Sequence, residues 1–216
     1  MPEKLDIELR NIKKEIELMG ELSRAMLMDS VTALRDLDIQ LAEDVLSRKE
    51  TLYKMDQNIE EHALKVLTLH QPMAKDMRTL ACVLKMITYL TRIGRYGYDI
   101  AKVTKEMGGK KHIKKLIDIP AMARIADTMV DDVMQAFKTE DIRSFEDLEE
   151  RDDILDEERY SIFRECVTYM MEDPRNITMC SHYIMIARYL ERCGDHACKI
   201  AEKVHYMVTG EWVEIS

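Results

Sequence analysis

The sequence predicts an all-α fold of two tandem, pseudo-symmetric antiparallel three-helix bundles. Three observations lead there. Apolar residues recur at steps of three and four along nearly all of the 216-residue chain, the period of helices with one buried face. Seven glycines and four prolines leave little punctuation for a strand-rich fold. The segment Tyr89-Leu90-Thr91-Arg92-Ile93-Gly94-Arg95 returns one hundred residues later as Tyr189-Leu190-Glu191-Arg192-Cys193-Gly194-Asp195, and both copies run on to an Ile-Ala pair, Ile100-Ala101 and Ile200-Ala201. A repeat of about half the chain length means two copies of one unit.

The elements follow in order. A first helix is expected over 5–36. A second, 39–70, opens at Asp38, whose carboxylate can accept the free N–H groups of a first turn and suits the helix dipole. Its inward stripe reads Val45, Lys49, Leu52, Ile59, Ala63 and Val66. Gln71-Pro72 breaks the chain before a third helix over 73–107. Gly108-Gly109 and the lysines after it are the best linker, dividing the chain into units 1–109 and 110–216. The second unit repeats the plan with helices over 120–138, 142–171 and 175–209. Asp141 stands where Asp38 does, and Asp173-Pro174 supplies the equivalent break, since proline is tolerated in a first turn. The last helix carries a long apolar stripe that includes Tyr183, Leu190, Cys193, Ala197 and Val204. Seventeen methionines read as adaptable core filling.

Bulk properties exclude several classes. A net charge of −9 argues against a general nucleic-acid binder. No apolar run is long enough to span a bilayer, and Met1-Pro2-Glu3-Lys4-Leu5-Asp6 lacks signal-peptide character, so a cytoplasmic protein is expected. The five cysteines show no CxxC spacing and read as buried reduced thiols rather than disulfides or a zinc knuckle. The basic stretch Lys110-Lys111-His112-Ile113-Lys114-Lys115 reads as a solvated linker, with a site for an acidic partner or lipid surface as the alternative.

The candidate site is acidic. Asp152 with Asp156, and Glu191 with Asp195, stand four residues apart on the fifth and sixth helices, and so on one face of each. Asp152 interrupts an apolar stripe between Leu148 and Leu155, where a carboxylate must be paired, protonated, metal-bound or at the wet edge. Joined by a short turn, the two helices should be antiparallel neighbours that bring the four acids face to face. Four oxygen donors suit iron, manganese, magnesium or zinc. His196 and Glu202 are near enough in sequence to assist. The competing reading is a charged surface helix whose acids are neutralised by Arg151, Arg159, Arg188 and Arg192. Gly94 and Gly194 each cost roughly 1 kcal/mol within a helix, which a close helix approach or room beside an ion would justify.

The run Tyr189-Leu190-Glu191-Arg192-Cys193-Gly194-Asp195-His196-Ala197 with Ile200-Ala201-Glu202 resembles the signature of the PhoU family of phosphate-uptake regulators. Tyr169-Met170-Met171-Glu172-Asp173-Pro174-Arg175, and Gln71-Pro72 with Asp76-Met77-Arg78, resemble that family's inter-helix turns. The resemblance implies a cytoplasmic, non-enzymatic regulator acting with a phosphate-specific ABC transporter and, in many bacteria, a membrane sensor kinase. It would reach the membrane only through those partners, alone or as a homodimer. It also implies metal binding through paired acidic motifs, here Asp152/Asp156 and Glu191/Asp195. The first half departs from that pattern, reading Lys49, Tyr53, Thr91 and Arg95, so internal salt bridges are expected there in place of a cation, with an anion held by Lys49 and Arg95 as the alternative. The alternative function is a di-metal carboxylate oxidase or metal-storage protein of the ferritin-like kind. Such bundles use Glu-x-x-His on two helices, and this chain offers Glu202-Lys203-Val204-His205.

Overall fold

The computed structural model describes residues 2–215; Met1 and Ser216, the outermost residues of the two expected units, lie outside them. Seven α-helices are formed there: α1 Pro2–Asp36, α2 Ile39–Ser47, α3 Lys49–His70, α4 Lys75–Met107, α5 Asp118–Thr139, α6 Leu148–Glu172 and α7 Ile177–Thr209. Short 3-10 turns, Ile142–Phe145 and Pro174–Asn176, precede α6 and α7. No strand occurs among the described residues, and no described helix is long and apolar enough to cross a membrane.

Two expected elements are reshaped. The helix anticipated over 39–70 is broken at Arg48, whose N–H turns back to the Val45 carbonyl at 3.2 Å. The Arg48 guanidinium reaches Asp29 at 2.7 Å and also binds Asp44, so the kink pins this segment to α1. Asp38 caps as expected, accepting from the Leu41 N–H at 3.0 Å. Asp141 caps only the 3-10 turn, accepting from the Arg143 N–H at 3.1 Å, and α6 proper begins at Leu148. The tighter turn still carries Phe145 into the core. Pro174 opens its 3-10 turn, capped by Asp173.

The linker is less free than its composition suggests. His112 bridges the Leu34 carbonyl and the Tyr183 hydroxyl, both at 2.8 Å. Lys114 binds Asp118 and Glu165. Only Lys110, Lys111 and Lys115 of that stretch are fully exposed.

In the first bundle α1, α3 and α4 pack together, with α2 laid across α1 and α4; in the second α5, α6 and α7 do. The bundles join along two seams, α4 against α7 and α1 against α5. The α4/α7 seam is antiparallel. Tyr96 stacks on Tyr189 (5.2 Å, 18°), Tyr89 leans on His196 (5.5 Å), and Arg78 Nε donates to the Met207 carbonyl at 3.3 Å. Because equivalent residues are one hundred apart, exchanging the repeats turns the Tyr96–Tyr189 pair into His196–Tyr89. The seam thus carries a pseudo-two-fold axis between Arg92 and Arg192.

The α1/α5 seam is tied by ion pairs, Arg24 to Asp127 (2.8 Å) and Asp131, Lys138 to Glu17 (2.9 Å) and Lys13 to Glu140 (2.8 Å). Partly exposed pairs contribute about 0–1 kcal/mol each, against roughly 1.5–3 kcal/mol for each fully buried large apolar side chain. Burial therefore holds the bundles, and the ion pairs select their register. All five cysteines are free and buried. Met19, Met26, Met86 and Met129 fill the core as expected, but Met73 and Met171 are 80% and 81% exposed at the two inter-helix turns.

Gly97 permits the tightest crossing. A Cβ there would stand 2.6 Å from the Met26 backbone carbonyl on α1, and backbone cannot step aside. Gly97→Ala should lose about 1–3 kcal/mol from overpacking, despite roughly 1 kcal/mol gained in helix propensity. Gly94→Ala, which meets only the movable Leu52 side chain, should cost less. Denaturant midpoints of the two variants test that order. A second tie joins α1 to α3, where His62 lies 3.0 Å from both Glu8 and Glu15. Burial pushes His62 down, but the Glu15 and Glu8 carboxylates outweigh it and hold the imidazolium above its ordinary value. Stability from this tie is complete below the unfolded value of about 6.5 and is lost as pH rises through the raised folded value. Melting temperatures across this range should fall more in the parent than in His62→Gln.

Candidate metal centre

The α6–α7 hairpin does bring the predicted acids together. Asp152 and Asp156 project from α6, Glu191 and Asp195 from α7. Leu155 and Leu190, both fully buried, hold the two helices in register beneath them. Gly194 supplies the remaining space: a Cβ on it would lie 2.7 Å from Asp152 Oδ1 and 2.6 Å from Leu155 Cδ1. The expectation that Gly194 marks a close approach therefore holds, and Gly94 plays the same part against Leu52.

The acids differ in setting. Glu191 is only 8% exposed, whereas Asp156 is an exposed side chain. Burial pushes Asp152 up to about 6, helped by the charges of Asp195, Asp156 and Glu191. Burial also raises Glu191, with Asp195 adding to it and Arg192 and Arg159 opposing. Asp152 and Glu191 thus both feel the neighbouring acids. Two arginines stand among them. Arg159 is 3.8 Å from both Asp156 and Glu191, and Arg192 lies 2.6 Å from Asp195 and 3.6 Å from Glu191.

Neutralisation by these arginines is incomplete. Asp152 Oδ1 and Glu191 Oε2 are buried without a hydrogen-bond donor, an arrangement that costs roughly 1–3 kcal/mol per group. Among the described residues no group of three or more His, Cys, Asp or Glu side chains is placed where it could hold a metal ion. The four carboxylates are the donor type a hard cation takes, with two oxygens unpartnered, but Arg159 and Arg192 stand among them.

His196 and Glu202 do not join this cluster in the manner anticipated. His196 lies between the rings of Tyr89 and Tyr96, and burial pushes it down to about 4, with Arg92 adding to the effect. Glu202 anchors the chain end instead: Lys199 binds it at 2.7 Å, Lys203 at 3.4 Å, and the Ile215 N–H donates to it at 3.3 Å. His205, the other half of the Glu-x-x-His spacing, lies 3.1 Å from the Glu211 carbonyl. Both residues serve the C-terminal segment, which also stacks Trp212 on Tyr206 at 4.1 Å.

In the first bundle the equivalent positions carry different bonds. Lys49 sits over the ring of Tyr98 at 4.7 Å, and Arg95 reaches the Tyr53 hydroxyl at 3.4 Å and Asp99 at 3.9 Å. The expected replacement by salt bridges is thus half right: Arg95 has one, while Lys49 is held by aromatic faces. The aromatic seam of Tyr89, Tyr96, Tyr189 and His196 is the feature sequence reasoning missed. Its signal was present in the repeat offset, which makes Tyr89 and Tyr189 equivalent, and likewise Tyr96 and His196.

The geometry defines a class of protein, a duplicated three-helix bundle with one acidic centre. Comparison with known proteins gives the family. The PhoU domain model matches residues 16–104 and 119–204, one match per bundle, and the chain belongs to the PhoU family. It is 36% identical to the "phosphate-specific transport system accessory protein PhoU homolog" of Rhizobium meliloti, over 95% of this chain and 87% of that one. It is 35% identical to the protein of the same description from Caulobacter vibrioides, over 94% and 89%. Among solved structures, PhoU from Pseudomonas aeruginosa superimposes with a TM-score of 0.91 at 32% identity, covering 95% of this chain and 99% of that one.

The strain in the acidic centre is measurable without any metal. Asp152→Asn keeps the side chain's shape and removes its charge from a half-buried group of four acids. The metal-free variant should be more stable than the parent by about 1 kcal/mol, read from denaturant midpoints in chelator.

Proposed function

We propose that the chain is a non-enzymatic, cytoplasmic regulator of phosphate uptake and phosphate-starvation signalling. It acts by binding a phosphate-specific ABC transporter subunit, a sensor kinase, or both, and meets the membrane only through them. The observation that carries this reading is the match across both bundles to proteins described as phosphate-specific transport system accessory proteins. Self-association as a homodimer is compatible with it, and units 1–109 and 110–216 are the two repeats on which it is built.

The second part of the proposal is that Asp152, Asp156, Glu191 and Asp195 hold a divalent or trivalent cation such as iron, manganese, zinc or magnesium. The two donor-less oxygens and the mutual repulsion of the acids support it. A bound cation would supply charge neutralisation and fix the α6–α7 hairpin. Asp152 and Glu191 provide the buried donors, Asp195 gives up Arg192, and Asp156 closes the wet side. Gly194 keeps the floor of the site clear.

The partner reading is tested by capture of purified transporter ATPase subunit and sensor kinase from the same organism, at high and low phosphate. Capture of at least one, changing with phosphate, is expected; capture of neither under both conditions overturns it. In the same preparations, elemental analysis should find metal in the parent and none in Asp152→Ala/Glu191→Ala. Full metal content in that double variant would reject the ligand assignment.

A further inference from the structure

The exposed face of the α4/α7 pair carries a charge pattern that the acidic centre does not use. The whole chain has a net charge of −9. On this face, however, the outward positions of α4 include Lys85, Arg92 and Arg95 among uncharged Ala81 and Thr88, and those of α7 include exposed Arg188 and partly exposed Arg192. The register set by Tyr96 on Tyr189 puts Arg92 level with Arg192 at the pseudo-two-fold axis. The charges of Arg92 and Arg192 are both felt at Tyr96 and at His196. Arg192 has Asp195 as a partner and Arg95 has Asp99. Among the described residues neither Arg92 nor Arg188 lies in an ion pair.

We propose that this face docks an acidic amphipathic helix of a protein partner, lying along the groove between α4 and α7. Its carboxylates meet Arg92, Arg188 and Arg192, and its apolar side chains rest on the half-buried rings of Tyr89, Tyr96 and Tyr189. This rests on the regulator reading above and assigns that reading its surface.

Chemistry selects such an occupant. Guanidiniums bind carboxylates with two parallel hydrogen bonds, a geometry a lysine-rich patch does not offer. Tyrosine and arginine are the side chains enriched where protein partners bind most strongly. Lys85 and Arg92 are seven residues apart, about 10.5 Å along a helix, which matches acids placed every two turns on a partner helix. A nucleic acid or an anionic bilayer extends well past the screening distance of about 8 Å and would meet a chain whose net charge is −9. A single acidic helix stays within the local cationic strip.

The test uses a labelled helical peptide of about 20 residues, some 30 Å long, with glutamates at seven-residue spacing flanking leucines, and its glutamine counterpart. Fluorescence anisotropy with the full chain should show the glutamate peptide binding at least about tenfold tighter than the glutamine one. Arg92→Glu/Arg188→Glu should lose at least about tenfold; both arginines are exposed and outside any ion pair, so its melting temperature should stay near the parent's. Equal affinity for parent and variant overturns the proposal. Variant-sensitive binding to phosphatidylglycerol vesicles without peptide binding also overturns it, by assigning the face to lipid. The variant is then taken through the partner capture described above. Parent-like capture by the variant sinks this surface while the regulator reading stands; failure of the parent itself sinks that reading instead.

Discussion

The antiparallel contact of α4 with α7 is the constraint on which the rest of the structure depends. Each is the third long helix of its repeat, and each has one side in its own bundle and another against its counterpart. Their crossing fixes Tyr96 on Tyr189 and Tyr89 on His196. From there Gly97 sets how close α1 can come, and Gly94 and Gly194 set where Leu52 and Leu155 seat α3 and α6. A duplicated sequence folded around a two-fold axis needs one self-complementary seam, and the aromatic pairs supply it. The α1/α5 ion pairs then have only to choose among nearby registers, a task suited to partly exposed charges whose individual contributions are small.

One scaffold supports two chemistries because the side chains that define each centre lie on the outer edges of the hairpins. Lys49, Tyr53, Thr91 and Arg95 occupy the places taken by Asp152, Asp156, Glu191 and Asp195. The first set is held by cation–π contact and a single ion pair, with the Thr91 hydroxyl buried and unpartnered. The second leaves two buried oxygens without donors. The glycine floor is the same in both, so the difference lies in side-chain charge and not in backbone geometry.

Much of this was legible in the sequence because helical period and repeat offset are strong signals. The six long helices, the break at Asp173-Pro174 and the convergence of the four acids all follow from spacing. The break at Arg48 was hidden because its cause is a long-range reach to Asp29, which no local pattern records. The late start of α6 was hidden similarly, since Asp141 caps a 3-10 turn with the chemistry it would use for an α-helix. Glu202 and His196 were misread because nearness in sequence to Asp195 said nothing of rotation about α7. Glu202 turns toward the chain end, and His196 toward α4. The seam itself required pairing the two repeats with each other, a step beyond recognising that they are equivalent.

Arg192 ties the acidic centre to the cationic groove. It now neutralises Asp195 and Glu191 while standing level with Arg92 at the two-fold axis. These demands compete. Were Asp195 and Glu191 to hold the proposed cation, Arg192 would lose both partners and its charge would be free for the acidic helix proposed above. Conversely, an acidic helix that takes Arg192 leaves the two carboxylates short of a counterion and raises their affinity for one. Linkage makes the two effects equal in free energy. Metal occupancy would then bear on partner affinity through the reorientation of one guanidinium.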